Sequence, residues 1–394
     1  MYPIIKIKQK RGASILSRHP WIFSGAIEKV SDDIKHGDIV YVEHDNKIVA
    51  TGMFSRHSMI VVRVMAFDEV IIDKDWFRSQ IRLANKRRQI VGLIDLPDLT
   101  GYRIIFGQSD LLPGLVVDKY NDVLVMQIST AGIDEHRDTI IECLVEEFSP
   151  RAIFERSDLQ SRKEEKLTER VGVCHGEDVD TVEFLEYGRK YIADIKAGQK
   201  TGFYLDQRDL RSEIQNVSAG RKAVDIFSYS GAAGIAALNG GCESVEFIDS
   251  SKKALELCKQ HTELNGFDIG NIQTIETDVF QWISEKKSPE YDLVLLDPPA
   301  LIKSRKHIES GKKAYHFLNR ACLRMITDGG ILVSSSCSAY MTEDEFIIML
   351  RKAANQAEVE LQLIKTIRQS PDHPLSVYFP EAFYLKSVVC KIIR

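Results

Sequence analysis

The stretch of sequence that decides the fold runs from Ala223 to Leu238 and reads AVDIFSYSGAAGIAAL. An apolar run containing Asp225 leads into a turn of small residues and then into an alanine-rich run, which predicts a buried strand, a tight turn and a helix. Gly231 would let the backbone approach a ligand, and Gly234 would let the helix pack closely on a strand. The GxxxxGK[ST] pattern is missing, which disfavours a phosphate-binding P-loop.

Strand-like and helix-like runs alternate from about residue 196 onward, as is typical of a parallel sheet covered by helices on both faces. Asp249 ends the second predicted strand, and Asp278 follows the third. At the carboxyl edge of such a sheet, Asp249 can bind ribose hydroxyls, and Asp278 can meet the adenine amine while Val279 packs on the ring. Each acid alone could be a helix cap or a surface residue, but acids at successive strand ends predict nucleoside binding.

Two further predicted strands end in residues that suggest chemistry. Tyr291–Leu296 is followed by Asp297-Pro298-Pro299, and two prolines cannot continue a strand ladder, so the carboxylate of Asp297 would be fixed at the mouth of a pocket. The strand beginning at Ile331 ends in Ser335-Ser-Cys337-Ser338. Most cysteines in such positions only pack, and a nucleophilic Cys337 would need an electropositive neighbourhood or deprotonation assisted by substrate.

The N-terminal half predicts two other domains. Alternating runs over the first ~65 residues predict a small β-barrel, and the run from Trp76 to Ile90 predicts a helix. Residues 102–195 predict several strands around one helix, Asp134–Phe148, and therefore an α+β domain. Among these strands are Val123–Ile128, Thr181–Glu186 and Lys190–Asp194, and a tight turn at Tyr187-Gly188 joins the last two. The charged run Ser161–Arg170 predicts a mobile loop. The predicted strands of the barrel are Ile4–Lys8, Asp38–Glu43, Lys47–Thr51 and Ile60–Met65.

Composition narrows the class of protein. The chain has 394 residues, of which 44% are hydrophobic and 28% charged, as in ordinary multidomain globular proteins. Its seven cysteines are scattered without a CxxC pair, which argues against a zinc ribbon and a disulfide framework, so we expect no metal. No apolar stretch reaches the roughly 20 residues of a membrane span. The N-terminus lacks the apolar core of a signal peptide, so we expect a cytoplasmic protein that does not bind membranes.

Charge is distributed unevenly along the chain. Residues 1–88 contain 16 Lys and Arg against 10 Asp and Glu, whereas the whole chain has a net charge of −5. A basic N-terminal module on an acidic body predicts contact with phosphate, although a merely solvated basic surface is the alternative. The expected phosphate contacts are Lys6, Lys8, Lys10, Arg11, Arg18 and Arg56.

These residues, in this order, resemble the class I S-adenosylmethionine-dependent methyltransferases, and more narrowly the bacterial large-subunit (23S) ribosomal RNA cytosine-C5 methyltransferases of the RlmI type. The resemblance covers nearly the whole chain. It implies an α/β protein with an N-terminal PUA β-barrel over residues 1–70, a linker helix and middle α+β domain over 71–187, and a Rossmann-like methyltransferase domain over 188–394. The motifs that carry it are Gly198–Arg208, Phe227–Gly231, Asp297–Pro299, Ser335–Ser338 and Arg368–Pro374.

The resemblance also implies roles for individual residues. Cys337 would be the nucleophile that adds to C6 of cytosine, since C5 alone is too weak to attack a sulfonium methyl group. Asp297, beside N3, would offset the charge that develops in the ring. The residues implied to bind S-adenosylmethionine are Phe227, Ser228, Tyr229 and Gly231 at the methionine end, Asp249 at the ribose, Asp278 and Val279 at the adenine, and Asp297, Tyr204, Asp206 and Arg208 around them.

Two departures from other methyltransferases matter. Many RNA cytosine-C5 enzymes have a second cysteine where this chain has Pro299, and the RlmI type shares this absence. Adenine-N6 enzymes have an aromatic residue where this chain has Ala300, which disfavours an exocyclic amine as the target. The base that removes the C5 proton stays unassigned. The resemblance further implies structured ribosomal RNA as substrate, recognised by shape with one base splayed out, and a homodimer.

Three alternatives stay open at this point. The protein could methylate a guanine nitrogen of ribosomal RNA, with Cys337 merely structural. It could be a nicotinamide-dependent oxidoreductase, which would explain the acid after the second strand but not Asp278 or Asp297-Pro-Pro. It could also be a noncatalytic RNA-binding protein, against which the motifs at every expected strand end argue.

Overall fold

The computed structural model describes residues 1–286 and 288–394, which form two compact units. The first unit contains Met1–Leu185, Ala193–Leu205 and Pro371–Ala382. The second contains Glu186–Ile192, Asp206–Ser370 and Phe383–Arg394. Each unit is therefore built from segments that are distant in sequence.

The first unit begins with a five-stranded sheet, in which the strands are ordered β1-β3-β4-β5-β2. Asp45 and Asn46 both have left-handed φ angles, of 50° and 60°, so β3 and β4 are joined by the two-residue turn that suits the twist of a hairpin. All four predicted strands are present, and the three-residue β2 was not predicted. The elements are β1 (Ile4–Lys6), α1 (Ala13–Leu16), β2 (Trp21–Phe23), β3 (Ile39–His44), β4 (Lys47–Phe54) and β5 (Ile60–Ala66).

A second sheet in this unit has the strand order β10-β9-β8-β7-β6. Its core includes Phe77 and Ile81 of helix α2. The side chain of Asp73 caps the start of this helix by accepting the N–H of Trp76 at 2.8 Å. The predicted helix Asp134–Phe148 is two helices, which meet at His136. The elements are α2 (Lys74–Ile90), β6 (Gly101–Phe106), β7 (Leu115–Tyr120), β8 (Val123–Ile128), α3 (Ala131–Glu135), α4 (Arg137–Phe148), β9 (Ala152–Ser157) and β10 (Arg170–Gly176).

The charged run Ser161–Arg170 is a loop only in part. It overlaps a short helix, α5 (Gln160–Glu164), and its Arg162 is fully buried. The Arg162 guanidinium donates to the carbonyl of Ile128 and to Asp134, both at 2.9 Å. Burial of charge is tolerated here because the charged group has hydrogen-bond partners, which composition alone does not reveal.

The hairpin β11 (Thr181–Glu186) and β12 (Arg189–Asp194) turns at Tyr187 and Gly188, which have φ angles of 49° and 80°. Both values are left-handed, as a two-residue hairpin turn requires. The sequence predicted this turn and both strands to within one residue.

The second unit is an α/β structure around a seven-stranded sheet with the order β15-β14-β13-β16-β17-β19-β18. The five strands from β15 to β17 are parallel to one another, as predicted, whereas β19 is antiparallel to both β17 and β18. The strands are β13 (Lys222–Ile226), β14 (Ser244–Asp249), β15 (Ile272–Glu276), β16 (Tyr291–Leu296), β17 (Ile326–Ser336), β18 (Glu360–Arg368) and β19 (Lys386–Ile393).

Helices of the second unit pack on this sheet through apolar faces, such as Tyr315 and Leu318 of α10 and Phe346 and Leu350 of α11. Among the described residues, no helix has both the length and the apolar character that a membrane span requires. The helices are α6 (Arg208–Asn216), α7 (Ala232–Asn239), α8 (Lys252–Leu264), α9 (Val279–Glu285), α10 (Ile308–Met325) and α11 (Glu343–Ala357).

Candidate active site

Most predicted site residues of the second unit lie at, or just after, the carboxyl ends of its parallel strands. Ile226 of β13 is level with Ile248 of β14 and with Leu296 of β16. Leu296 is level in turn with Ser334 of β17. Parallel strands in register open their following loops onto one sheet edge, where α/β proteins bind ligands.

The loop from Phe227 to Gly231, after β13, has an unusual backbone. Phe227 and Tyr229 have left-handed φ angles of 62° and 47°, which side chains other than glycine adopt at a cost. The neighbouring strand holds this conformation, because the N–H of Ser228 donates to the carbonyl of Ile248 at 3.1 Å and that of Tyr229 donates to the carboxylate of Asp249 at 2.9 Å. The loop is therefore preformed.

Gly231, at the end of this loop, and Gly234, in the following helix α7, leave no room for a side chain. A Cβ on Gly231 would lie 2.8 Å from Sγ of Cys258, and Gly231 has a left-handed φ of 74°. A Cβ on Gly234 would lie 2.2 Å from the ring of Phe247 on β14. Gly234 thus allows the helix to pack closely on the strand, as expected. A side chain at Gly231 would collide with the protein interior, whereas the sequence suggested that this glycine lets the backbone approach a ligand.

Asp249 and Asp278 lie side by side at the sheet edge. The carbonyl of Asp249 accepts the N–H of Thr277 at 3.0 Å, which fixes Asp278 next to it. Oδ1 of Asp249 accepts the N–H of Ser251 at 2.8 Å, and Oδ1 of Asp278 caps α9 by accepting the N–H of Gln281 at 2.9 Å. Since a carboxylate has about four acceptor positions, these bonds orient both groups without saturating them.

Phe280 is the exposed apolar side chain beside Asp278. Val279, which the sequence placed against the adenine, is only 4% exposed and belongs to the hydrophobic core. The side chain of Phe280 is 37% exposed, and its ring centre lies 6.0 Å from that of Phe227. The sequence pattern pointed to Val279 as the apolar neighbour of Asp278, whereas the exposed side chain belongs to Phe280, one residue later.

Asp225 is a buried acid at the centre of the site to which the sequence assigned no role. Its carboxylate accepts the N–H of Gly234 at 2.9 Å. Burial raises the pKa of Asp225 to about 7, and the negative charges of Asp297 and Asp249 add to this rise. The carboxylate of Asp225 therefore lies close enough to those of Asp297 and Asp249 to be repelled by both.

Hydrogen bonds hold both the backbone and the side chain of Asp297 in place. Its N–H donates to the carbonyl of Ile226 at 3.3 Å, and its Oδ2 accepts from Nε2 of Gln207 at 2.7 Å. Burial raises the pKa of Asp297 to about 6; the Gln207 hydrogen bond and the positive charge of Arg211 oppose the rise, and the negative charge of Asp206 supports it. A carboxyl group with this pKa can hold or release a proton near neutral pH.

The other predicted residues of the Gly198–Arg208 motif have different surroundings. Oδ2 of Asp206 accepts from the hydroxyl of Tyr384, while its buried Oδ1 has no hydrogen-bond partner among the described residues. Arg208 is fully buried, with its Nε 3.9 Å from Glu186. Tyr204 belongs to the first unit, where its hydroxyl donates to Oε1 of Gln199 at 2.6 Å. The unpartnered oxygen of Asp206 is an acceptor available to a ligand.

Cys337 follows β17 and is half-buried. Oγ of the next residue, Ser338, accepts the N–H of Ile302 at 3.3 Å and lies 3.0 Å from the hydroxyl of Tyr315. Ile302 belongs to the loop that begins with Asp297-Pro298-Pro299. The loop carrying the thiol and the loop carrying the carboxylate are therefore hydrogen-bonded to each other at the same sheet edge.

Comparisons with known proteins agree with this architecture. A family model described as "S-adenosylmethionine-dependent methyltransferase" matches residues 158–386, and one described as "PUA-like domain" matches residues 5–67. The chain is 39% identical to the ribosomal RNA large subunit methyltransferase I of Aeromonas salmonicida, over 99% of this chain and 100% of that protein. It is 38% identical to that of Vibrio cholerae over the whole of both chains.

The chain belongs to the ribosomal RNA large subunit methyltransferase I family. A solved structure of a putative S-adenosylmethionine-dependent methyltransferase from Streptococcus mutans shares the fold, with a TM-score of 0.84 at 21% identity over 99% of this chain and 100% of that one. The expected fold class is thereby confirmed: a PUA-like domain precedes a methyltransferase domain with a Rossmann-like sheet.

The cofactor of this methyltransferase family is S-adenosylmethionine. The sheet edge suits it, because Asp249 offers an oriented carboxylate for hydroxyl donors and Asp206 offers a buried oxygen to which none of the described residues donates. A similar solved protein, with a TM-score of 0.84, was crystallised with S-adenosylhomocysteine.

The six basic residues predicted to meet phosphate are all exposed and lie in or next to the PUA-like region. Lys6 pairs with Glu43 at 2.9 Å, which leaves it the least available of the set. Arg18 and Arg56 lie over the rings of Phe67 and Phe54, at 5.3 and 5.5 Å. Lys8, Lys10 and Arg11 follow one another around a short 3-10 turn.

Proposed function

We propose that this methyltransferase transfers a methyl group to C5 of a cytosine in large-subunit (23S) ribosomal RNA, with Cys337 as the nucleophile. The observation that supports this proposal best is the hydrogen bond between Ile302 and Ser338, which joins the Asp297 loop to the Cys337 loop. The reaction needs a thiol and a carboxyl group near one base, and this hydrogen bond joins the loops that carry them. The names of the relatives, which specify large-subunit ribosomal RNA, support the substrate.

The reaction begins when the thiolate of Cys337 adds to C6 of the cytosine. The new S–C6 bond pushes the ring electrons toward C5, which becomes nucleophilic enough to be methylated. Asp297 hydrogen-bonds N3 and shares a proton with it as negative charge builds up in the ring; its pKa of about 6 suits this exchange. When bound, the cofactor supplies the electrophilic methyl group. A base then removes the C5 proton, the S–C6 bond breaks, and its electrons return to the sulfur of Cys337.

The preformed sheet edge holds the cofactor in this proposal. Asp249 binds the ribose, Asp278 binds the adenine amine, and Phe280 takes over the ring contact expected of Val279, because Phe280 is exposed and Val279 is buried. The unpartnered Oδ1 of Asp206 accepts from the cofactor's amino group. The remaining proposed contacts are Phe227, Ser228, Tyr229 and Gly231 at the methionine end, with Tyr204 before α6 and Arg208 at its first residue.

The N-terminal region would bind the RNA backbone through Lys6, Lys8, Lys10, Arg11, Arg18 and Arg56. We keep the proposed division into a PUA-like domain at residues 1–70, a middle domain at 71–187 and a methyltransferase domain at 188–394. A homodimer acting on ribosomal RNA in the cytoplasm completes the proposal. Light scattering of the purified chain tests the dimer, which a monomeric mass would exclude.

Replacing the thiol tests the proposed reaction. Cys337→Ala should abolish methyl transfer to ribosomal RNA while S-adenosylhomocysteine still raises the melting temperature, because the thiol acts on the base and not on the cofactor. Methylated nucleosides are identified by mass spectrometry after digestion. Cys174→Ala, which removes the other half-buried thiol, serves as the control.

Two results would reject this mechanism. Undiminished turnover of Cys337→Ala would make the cysteine structural, and a methylated guanine in the digest would assign the alternative target. RNA containing 5-fluorocytosine gives a complementary readout, because fluorine cannot leave as a proton and the covalent complex should persist through denaturing electrophoresis. The Cys337→Ala variant should form no such complex.

A further inference from the structure

A buried lysine of β19 lies against the segment that follows Cys337. Lys386 is level with Ser336 in the antiparallel pairing of β19 and β17, and only 2% of it is exposed. Its Nζ donates to the carbonyl of Ser338 at 2.7 Å and to that of Met341 at 2.5 Å. The ammonium group is therefore fixed by the chain that begins one residue after the thiol.

Among the described residues, no carboxylate forms an ion pair with this ammonium group. The carboxylates whose negative charge acts on it, Glu343 and Glu345, belong to the first turn of α11. Glu343 pairs with Arg368 at 3.2 Å, and Glu345 pairs with Lys312 at 2.8 Å. Both carboxylates are thus shared with other cations.

Burial lowers the pKa of Lys386 to about 8, whereas Cys337, Glu345 and Glu343 favour its charged form, with Cys337 first among them. The phenol of Tyr315, on α10, also faces this region, where it contacts Ser338. A positive charge removed from water is costly unless a negative charge lies near it. A thiolate at Cys337 would be such a charge.

We propose that Lys386 is a positioning residue that stabilises the thiolate of Cys337 and holds the loop from Ser338 to Met341 in place. The inference rests on the proposed nucleophilic role of Cys337. An adjacent cation favours loss of the thiol proton to water. The thiolate nucleophile is therefore present before the target cytosine enters the site. When the S–C6 bond breaks at the end of the reaction, the electron pair returns to a sulfur that again faces the ammonium charge.

The experiment measures the pH dependence of Cys337 alkylation by iodoacetamide, read on the Cys337 peptide by mass spectrometry of the folded full-length chain. Lys386→Gln removes the charge but keeps an N–H donor for the two carbonyls. Lys386→Arg keeps the charge. Lys391→Met, an exposed lysine on the same strand, is the matched control.

Lys386→Gln should raise the pH midpoint of Cys337 alkylation by about one unit, so that the rate near pH 7 falls roughly tenfold. Lys386→Arg should restore most of that rate, and Lys391→Met should match the wild type. The acid limb of the pH–rate profile for methyl transfer should move by the same amount as the alkylation midpoint. A purely structural lysine would lower the melting temperature without moving either midpoint, and that result would overturn the inference.

The outcomes for the two proposals are separable. If Cys337→Ala keeps full turnover while Lys386→Gln shifts the alkylation midpoint, the nucleophile proposal fails and the ion pair stands. If Cys337→Ala is inactive and the midpoint does not move, only the role of Lys386 fails. Should Lys386→Gln not fold, Lys386→Met and Lys386→Arg provide the neutral and charged variants for the same comparison.

Discussion

Asp225 places a carboxyl group inside the sheet, where 2% of the residue is exposed. Its pKa of about 7 in the folded chain lies above the value of about 3.9 for an unfolded aspartate. The folded state therefore binds the proton more tightly, and unfolding is made easier as the pH rises from about 4 to about 7. Such a group costs stability at neutral pH and places negative charge beside the cofactor site.

Replacing Asp225 with Asn should remove this pH dependence. The free energy of unfolding of Asp225→Asn, minus that of the wild type, should rise by roughly 2–4 kcal/mol between pH 4 and pH 8, since each pKa unit corresponds to about 1.4 kcal/mol. Urea unfolding at several pH values measures the difference. Asp268→Asn, which also removes a carboxylate that accepts a backbone N–H but is exposed, is the control. Parallel pH profiles for Asp225→Asn and wild type would contradict the argument.

Residues that directly follow strands were predictable, and residues within strands were not. The position of Asp249, Asp278, Asp297 and Cys337 at or just after a strand end could be predicted, because the carboxyl end of a strand in a parallel sheet fixes where the next side chains lie. The surroundings of Asp225 and Lys386 depend on neighbouring strands that are distant in sequence, and no local pattern reports them. His261 is a similar case: its buried ring accepts the N–H of Ile192 at 2.9 Å and contacts the carbonyl of Ser230 at 2.8 Å.

The contact between α7 and β14 shows how one glycine controls the placement of a whole element. Gly234→Ala favours the helix by intrinsic propensity, but the added Cβ would meet the Phe247 ring at 2.2 Å. Because the core is already close-packed, α7 must move away from the sheet, at a cost of about 1–3 kcal/mol. The loop from Phe227 to Gly231 leads into α7 and moves with it.

Gly234→Ala should therefore lower the melting temperature and also weaken S-adenosylhomocysteine binding, as measured by calorimetry. Gly25→Ala is the control, because a Cβ there would have nothing within 4 Å. Loss of stability with unchanged cofactor affinity would show that α7 does not set the position of the loop.

Element type was predicted better than element boundaries and interruptions. The strand Val123–Ile128 was predicted to the residue, because it is a continuous apolar run between turn signals. The break between α3 and α4 at His136 was not predicted, because the helical spacing of apolar residues continues across it. Strand β2 was not predicted, because three residues are too few to show a period. The antiparallel pairing of β18 and β19 also escaped, since it depends on tertiary contacts and not on local pattern.

At the scale of the whole molecule, charge separates the N-terminal region from the rest. Residues 1–88 have a net charge of +6, and the other 306 residues have a net charge of −11. An RNA molecule is therefore attracted to one end of the chain and repelled by much of the remainder. Under the proposed function, phosphate would meet the N-terminal region first, and the salt dependence of binding measures which cations contact it.

The double variant Lys10→Ala/Arg11→Ala should reduce RNA binding and its dependence on salt together. Each cation that neutralises a phosphate contributes about 0.7–0.9 to the slope of log affinity against log salt concentration, so losing two should flatten that slope by roughly 1.5. Filter binding of a large-subunit ribosomal RNA fragment across a salt series measures it. The double variant Lys35→Ala/Lys47→Ala removes the same charge from exposed sites of the same region, and its slope should stay close to that of the wild type. Equal flattening in both variants would mean that net charge alone acts, and that Lys10 and Arg11 are not placed against phosphate.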